Sequence, residues 1–256
     1  MRVLFVAGEV APFSETTDTA ALMRMLPEAL QEHNDVEPRI MMPRYGVVSE
    51  RRNRLHEVIR LSGAEIAAGD ASDTLKVKVA SIPGIRLQVY FMDSVDFFKR
   101  KGLHQERKTE ALFEDNPARA LFFARAALST AQKLGWSPDV VHAAGWISSF
   151  VPHVLQSEFG DADLFSAARS VYTPDVVEGY TPELTADEAA ALGLPAEWAG
   201  RGLRQIGLET ADAVAYAEGD ASGDDEPAGP VLGTDPEPTA AEAARLYGSL
   251  DPALAA

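Results

Sequence analysis

Cysteine is absent from this 256-residue chain, so no disulfide framework, thiolate metal site or thiol nucleophile can be built from it. A metal site would have to be gathered from carboxylates and five scattered histidines. No spacing of those residues marks one, so neither a metal nor a cofactor is expected. Cations are also scarce, with 23 Lys and Arg against 39 Asp and Glu and a formal net charge of −16. A phosphate backbone calls for a basic face, whereas the longest basic runs here are Arg51-Arg52 and Lys99-Arg100-Lys101, so nucleic acid is not an expected partner. No apolar run approaches the roughly 18–20 residues that span a bilayer, and the opening MRVLFVAGEV lacks the regions of a signal peptide. A cytoplasmic protein without membrane contact is the expectation. Phosphate-binding glycine loops, HExxH and GxSxG are missing as well.

What the chain does have is a 46% share of hydrophobic residues, ample for a core at this length. Its charge is unevenly placed. Residues 217–256 hold nine acids and Arg245 alone, so half of the net charge sits in the last 40 positions. Proline, glycine and acids dominate there, and too little apolar surface is present to offset the entropy of ordering. We expect a folded domain over 1–216 and an acidic, flexible tail over 217–256, with a short helix at 239–248.

Hydrophobic patterning within 1–216 alternates strands with helices. Val3 to Ala7 is a short continuous apolar run, as in a strand buried on both faces. Ala21, Leu22, Met25, Leu26, Ala29 and Leu30 repeat at helical spacing behind Asp18, with Pro27 expected to kink that helix. Strands are predicted at Val36 to Met42, Leu75 to Val79, Arg86 to Met92, Asp139 to His142, Ser170 to Thr173 and Ala213 to Tyr216. A long helix opens at Asp115-Asn116-Pro117 and closes at Gly135, and another is predicted from Trp146 to Phe159, with further helices at 185–192 and 201–209. This alternation predicts an α/β fold, a Rossmann-like parallel sheet with helices on both faces. Ligands of such sheets bind beyond the carboxyl ends of the strands, which points to residues 8–18, 142–148 and 173–179.

Those stretches sit in a colinear set of peptides, MRVLFVAGEVAPF, MLPEAL, MMPRYG, VYFMD, DNPARALFFARAAL, LGWSPDVVHAAGW and GLRQIGLETADAVAYAEG. In this order and spacing, over about residues 1–220, the chain resembles the N-terminal domain of bacterial glycogen and starch synthases. The resemblance implies one half of a GT-B glycosyltransferase, the half that holds the α-glucan acceptor, while a second half of similar size would grip ADP-glucose. No such second half lies within these 256 residues.

The departures from the family pattern fall on its polar groups. Where the family carries Lys-x-Gly-Gly after its first strand, this chain reads Glu15, Thr16, Thr17, Asp18. The family's Lys meets the sugar-nucleotide phosphates, and its glycines open a helix N-terminus to them. Glu15 in place of Lys loses a charge-assisted bond of about 1.5–3 kcal/mol and adds a like-charge repulsion of about 4 kcal/mol at 4 Å and an effective dielectric of 20. Asp18 is expected as the helix N-cap, its own carboxylate filling the anion site. The family's His-x-His-Asp-Trp is here His142, Ala143, Ala144, Gly145, Trp146, and its Thr-Ile-His-Asn is Thr173, Pro174, Asp175, Val176.

Four residues remain as candidate substrate contacts. Glu9 reads either as a sugar-hydroxyl ligand or as a locally capping carboxylate, and His142 either as a remnant sugar ligand or as a hydrogen-bonded core histidine. Trp146 either stacks on glucose or packs on the sheet. Asp175 pairs with Glu178 either across a cleft, as in glycosidases, or in a surface turn. The expectation is a pseudoenzyme, a glycogen/starch synthase-like domain that binds α-glucan or another protein and does not transfer glucose by itself. The alternative is the acceptor half of a glucosyltransferase completed by a glycosyltransferase-like partner chain that binds the donor.

Overall fold

The computed structural model describes residues 1–177, 180, 182–219 and 229–250. In chain order the elements are β1 (Arg2–Ala7), α1 (Asp18–His33), β2 (Glu37–Pro43), α2 (Glu50–Asn53), β3 (His56–Glu57), β4 (Ala64–Ala68), β5 (Ala71–Ser81) and β6 (Gln88–Asp93). There follow α3 (Val95–Phe98), α4 (Asn116–Leu134), β7 (Val140–Ala144), a 3-10 turn (Trp146–Ser148), α5 (Val151–Glu158) and β8 (Arg169–Thr173). The remainder comprises α6 (Ala186–Leu192), a second 3-10 turn (Ala196–Trp198), α7 (Leu203–Thr210), β9 (Ala213–Val214), β10 (Tyr216–Ala217), β11 (Val231–Leu232) and α8 (Pro236–Ser249).

The sheet runs β3-β5-β6-β2-β1-β7-β8-β9, with β4 paired to β5. Its body from β6 to β9 is parallel, as the alternating pattern predicts. β1 lies at the centre because Val3 to Ala7 have no exposed side to offer, and all five are fully buried. The edge departs from the prediction: β5 is antiparallel to β6 and to the two short strands β3 and β4. Lys76 and Lys78 alternate along β5 with buried Leu75 and Val77, the signature of a half-solvated antiparallel edge.

α1 runs through Pro27 without ending. α4 starts on Asn116-Pro117 and stops where Gly135 turns left-handed at φ 63°, the proline-first, glycine-last asymmetry of helices. The helix expected from Trp146 to Phe159 is broken in two after Ser148, since Pro152 has no N–H to continue a helix from there and sits instead in the first turn of α5, where a missing N–H does no harm.

The boundary expected at 216, with a flexible tail beyond it, is corrected over 229–250. The strand predicted at Ala213 to Tyr216 splits, β9 pairing with β8 while β10 leaves the main sheet to pair with β11. α8 then packs against α1. It carries Ala240, Ala243 and Tyr247, all at 1% exposure or less, a helical stripe at spacings of three and four. The short helix expected at 239–248 is α8, and what the excess of acids concealed is its packing, because Glu237 is exposed and Glu242 only part-buried. Most of the other tail acids lie at 220–228 and 251–256, outside the described residues.

Candidate functional site

Three loops gather beyond the carboxyl ends of β1, β7 and β8, neighbours in the parallel body. Gly8 ties the first to the second through its N–H to the Ala144 carbonyl at 2.8 Å. Gly145 ties the second to the third through its N–H to Thr173 O at 2.9 Å. One continuous edge results, and Glu9, Glu15, Trp146 and Asp175 lie along it.

Glu9 is buried, and its carboxylate is committed to the loop it belongs to. Oε2 accepts from Ser14 Oγ at 2.5 Å and from the Thr16 N–H at 3.0 Å, and Oε1 accepts from Thr16 Oγ1 at 2.5 Å. Of its two readings, local capping matches the contacts. Glu15 is exposed. Asp18 differs from expectation: Thr17, extended at φ −130° and ψ 159°, is the N-cap of α1, and Asp18 is the first helical residue. The Asp18 carboxylate is turned toward Gly219, where a Cβ would collide with it. It still lies in the first turn, where the helix dipole favours a negative charge.

His142 is a core residue. Its Nδ1 meets Tyr247 Oη and its Nε2 meets Thr173 Oγ1, each at 2.7 Å, and Phe5 lies beside the ring at 5.4 Å. Burial drops its pKa to about 3, so the imidazole is neutral. The strand end that suggested a cleft ligand instead anchors α8.

Trp146 and Asp175 form one unit. Asp175, expected at a surface turn, is buried at 7% exposure because its Oδ1 accepts the Trp146 N–H at 2.7 Å, supplying a partner that the start of the 3-10 turn lacks. Glu178, its expected partner, lies outside the described residues. The Trp146 ring, 6% exposed, packs edge-on against Tyr180 at 5.0 Å, which matches the packing reading.

Sequence reasoning missed Arg119, hidden in the apolar run of α4. It is fully buried, donates through Nε to Phe97 O at 2.7 Å and through Nη1 to Asn116 Oδ1 at 2.6 Å, and faces the Phe113 and Trp146 rings at 5.1 and 5.8 Å. A cation flanked by aromatic faces is favourable, and Arg119 lies over the Trp146 ring. The Asn116-x-x-Arg119 spacing, one helical turn, was the available signal. Among the described residues no three His, Asp or Glu side chains come together as a metal site, and no helix is long and apolar enough to cross a membrane.

The family model of the starch synthase catalytic domain matches residues 2–215. The chain belongs to this family. Similar proteins include the glycogen synthase of Chlorobium luteolum, 38% identical over 172 residues that make up 67% of this chain and 35% of the relative. The glycogen synthase of Chlorobaculum parvum is 32% identical over 219 residues, 83% of this chain and 45% of that protein. This member of the family therefore spans less than half the length of these relatives. Among solved structures it is similar in fold to the catalytic domain of starch synthase IV from Arabidopsis thaliana bound to ADP and acarbose, with a TM-score of 0.68, 21% identity, and coverage of 84% of this chain and 44% of that one. The starch synthase fold thus accounts for the sheet and its loops, and the loops carry this chain's own side chains.

Proposed function

We propose that this glycogen/starch synthase-like domain does not transfer glucose by itself and serves as a module that binds α-glucan or another protein. One observation carries the reading: three of the candidate substrate-contact residues, Glu9, Asp175 and His142, are engaged within the protein itself. Glu9 is held by Ser14 and Thr16, Asp175 by Trp146, and His142 by Tyr247 and Thr173. Catalysis by positioning and electrostatics needs such groups free to meet a reacting sugar phosphate. The positions that would face a phosphate present Glu15 and Asp18 instead, which repel it. Incubating the protein with radiolabelled ADP-glucose and glycogen tests the proposal. No glucose incorporation above a protein-free blank is expected, and incorporation above it would reject the proposal.

A second reading, that a separate chain completes an active site, draws on exposed valines. Val47, Val95 and Val176, 43%, 61% and 46% exposed, follow the carboxyl ends of β2, β6 and β8, on the edge that a second half would cover. Exposed apolar groups on one edge favour association. Co-purification from the native cell distinguishes the readings: a glycosyltransferase-like chain recovered with this one supports the second, and its absence removes it.

A further inference from the structure

Tyr180 bridges two other rings at the loop edge. Its ring lies 4.7 Å from that of His104, on the segment between α3 and α4, and 5.0 Å from that of Trp146. Tyr180 is buried, yet its hydroxyl has no hydrogen-bond partner. Asn116, which the phenol approaches, is already committed, its Oδ1 to Arg119 Nη1 at 2.6 Å and its Nδ2 to the His104 carbonyl at 2.8 Å.

Two more buried polar atoms stand unpartnered here, Arg119 Nη2 and Tyr45 Oη, and the Arg119 charge is within electrostatic reach of both phenols. Folded proteins pair nearly all such atoms, so a cluster of orphans asks what would satisfy them. Arg119 Nη2 can only donate, whereas Tyr45 Oη can donate or accept. A phenyl ring carrying one hydroxyl satisfies neither. A ring with C–H faces for Trp146 and hydroxyls around its rim can satisfy both. An anion fits less well, because Glu9 and Asp175 also act on Tyr45 and would repel it.

We propose that the Tyr180 side chain is a built-in plug, standing where a glucose unit of an α-glucan would lie against Trp146 and holding down the domain's affinity for the polymer. The inference rests on the α-glucan reading above and adds to it the residue that regulates that binding.

The test uses the full chain with maltoheptaose, measured by calorimetry and followed at the Trp146 indole N–H resonance. Tyr180→Ala should bind about tenfold more tightly than wild type, or better. Tyr180→Phe should bind as wild type does, since its ring still fills the place. p-Cresol, the tyrosine side chain as a free molecule, should compete with maltoheptaose in Tyr180→Ala and leave wild type unaffected. Thermal melts check the fold, and Tyr180→Thr carries the same expectation if the alanine variant melts below the assay temperature. Equal binding by wild type and Tyr180→Ala overturns the plug and leaves the glucan reading standing. Binding by neither removes both. A gain in Tyr180→Phe equal to that in Tyr180→Ala, or no competition from p-cresol, also overturns the plug.

Discussion

Replacing Tyr247 with Phe removes one hydroxyl from a fully buried chain of three residues. Tyr247 Oη, His142 and Thr173 Oγ1 are linked by two contacts of 2.7 Å. In the variant His142 Nδ1 has no partner, and a buried polar atom left unpaired costs about 1–3 kcal/mol. At about 2–4 °C per kcal/mol for a domain of this size, the melting temperature should fall by several degrees. Tyr247→Ala also opens a cavity where the ring stood and should cost about 3–5 kcal/mol. The same histidine sets a pH dependence. Its folded pKa is lowered from 6.5 to about 3 by burial, so below pH 6.5 the unfolded chain binds a proton that the folded chain refuses. Stability should therefore fall as pH drops from about 6.5 toward 3, by up to about 1.4 kcal/mol per unit from this group. Urea unfolding at a series of pH values, monitored by circular dichroism, measures both effects, and His142→Gln should flatten the slope. If Tyr247→Phe unfolds at the wild-type midpoint and α8 can be removed without loss, the reasoning that the C-terminal helix is part of the domain is refuted.

Asp175→Ala should free the Trp146 N–H from its 2.7 Å partner and cost about 1–3 kcal/mol, with a shift in Trp fluorescence reporting movement of the ring. Asp93 binds both Arg44 at 3.0 Å and Lys78 at 2.7 Å with little solvent around the three; Asp93→Ala leaves both cations to Glu50, at 2.6 and 2.8 Å, and should lower stability by about 1–3 kcal/mol in denaturant titration. A Cβ at Gly207 of α7 would fall 2.6 Å from the Tyr172 ring, so Gly207→Ala should lower the melting temperature through a cost of about 1–3 kcal/mol, whereas an unchanged melting curve would show that the contact is loose.

The central strands and α4 were legible because their signals are local. A run such as Val3 to Ala7 has no polar face to offer, and Asn116-Pro117 and Gly135 mark both ends of a helix. The antiparallel edge was harder, since β3 and β4 hold only two and five residues and their pairing depends on β5. At the site, the loops were found but the direction of each side chain was not. Asp175 reads as a turn residue until the unpaired N–H of Trp146 is seen beside it. His142 reads as a cleft residue until Tyr247, 105 positions away, is brought against it by α8. Composition misled in the tail, where the excess of acids hid the inward packing of Ala240, Ala243 and Tyr247.

The central claim is that the loop after β1 no longer accepts a diphosphate. Titration with ADP-glucose, read at the backbone amides of Thr16 to Ala20 by NMR, tests it most directly. No saturable displacement up to millimolar nucleotide sugar is predicted. Saturable shifts of those amides, with the pyrophosphate seated beside Glu15 and Asp18 in a crystal of the complex, would contradict it.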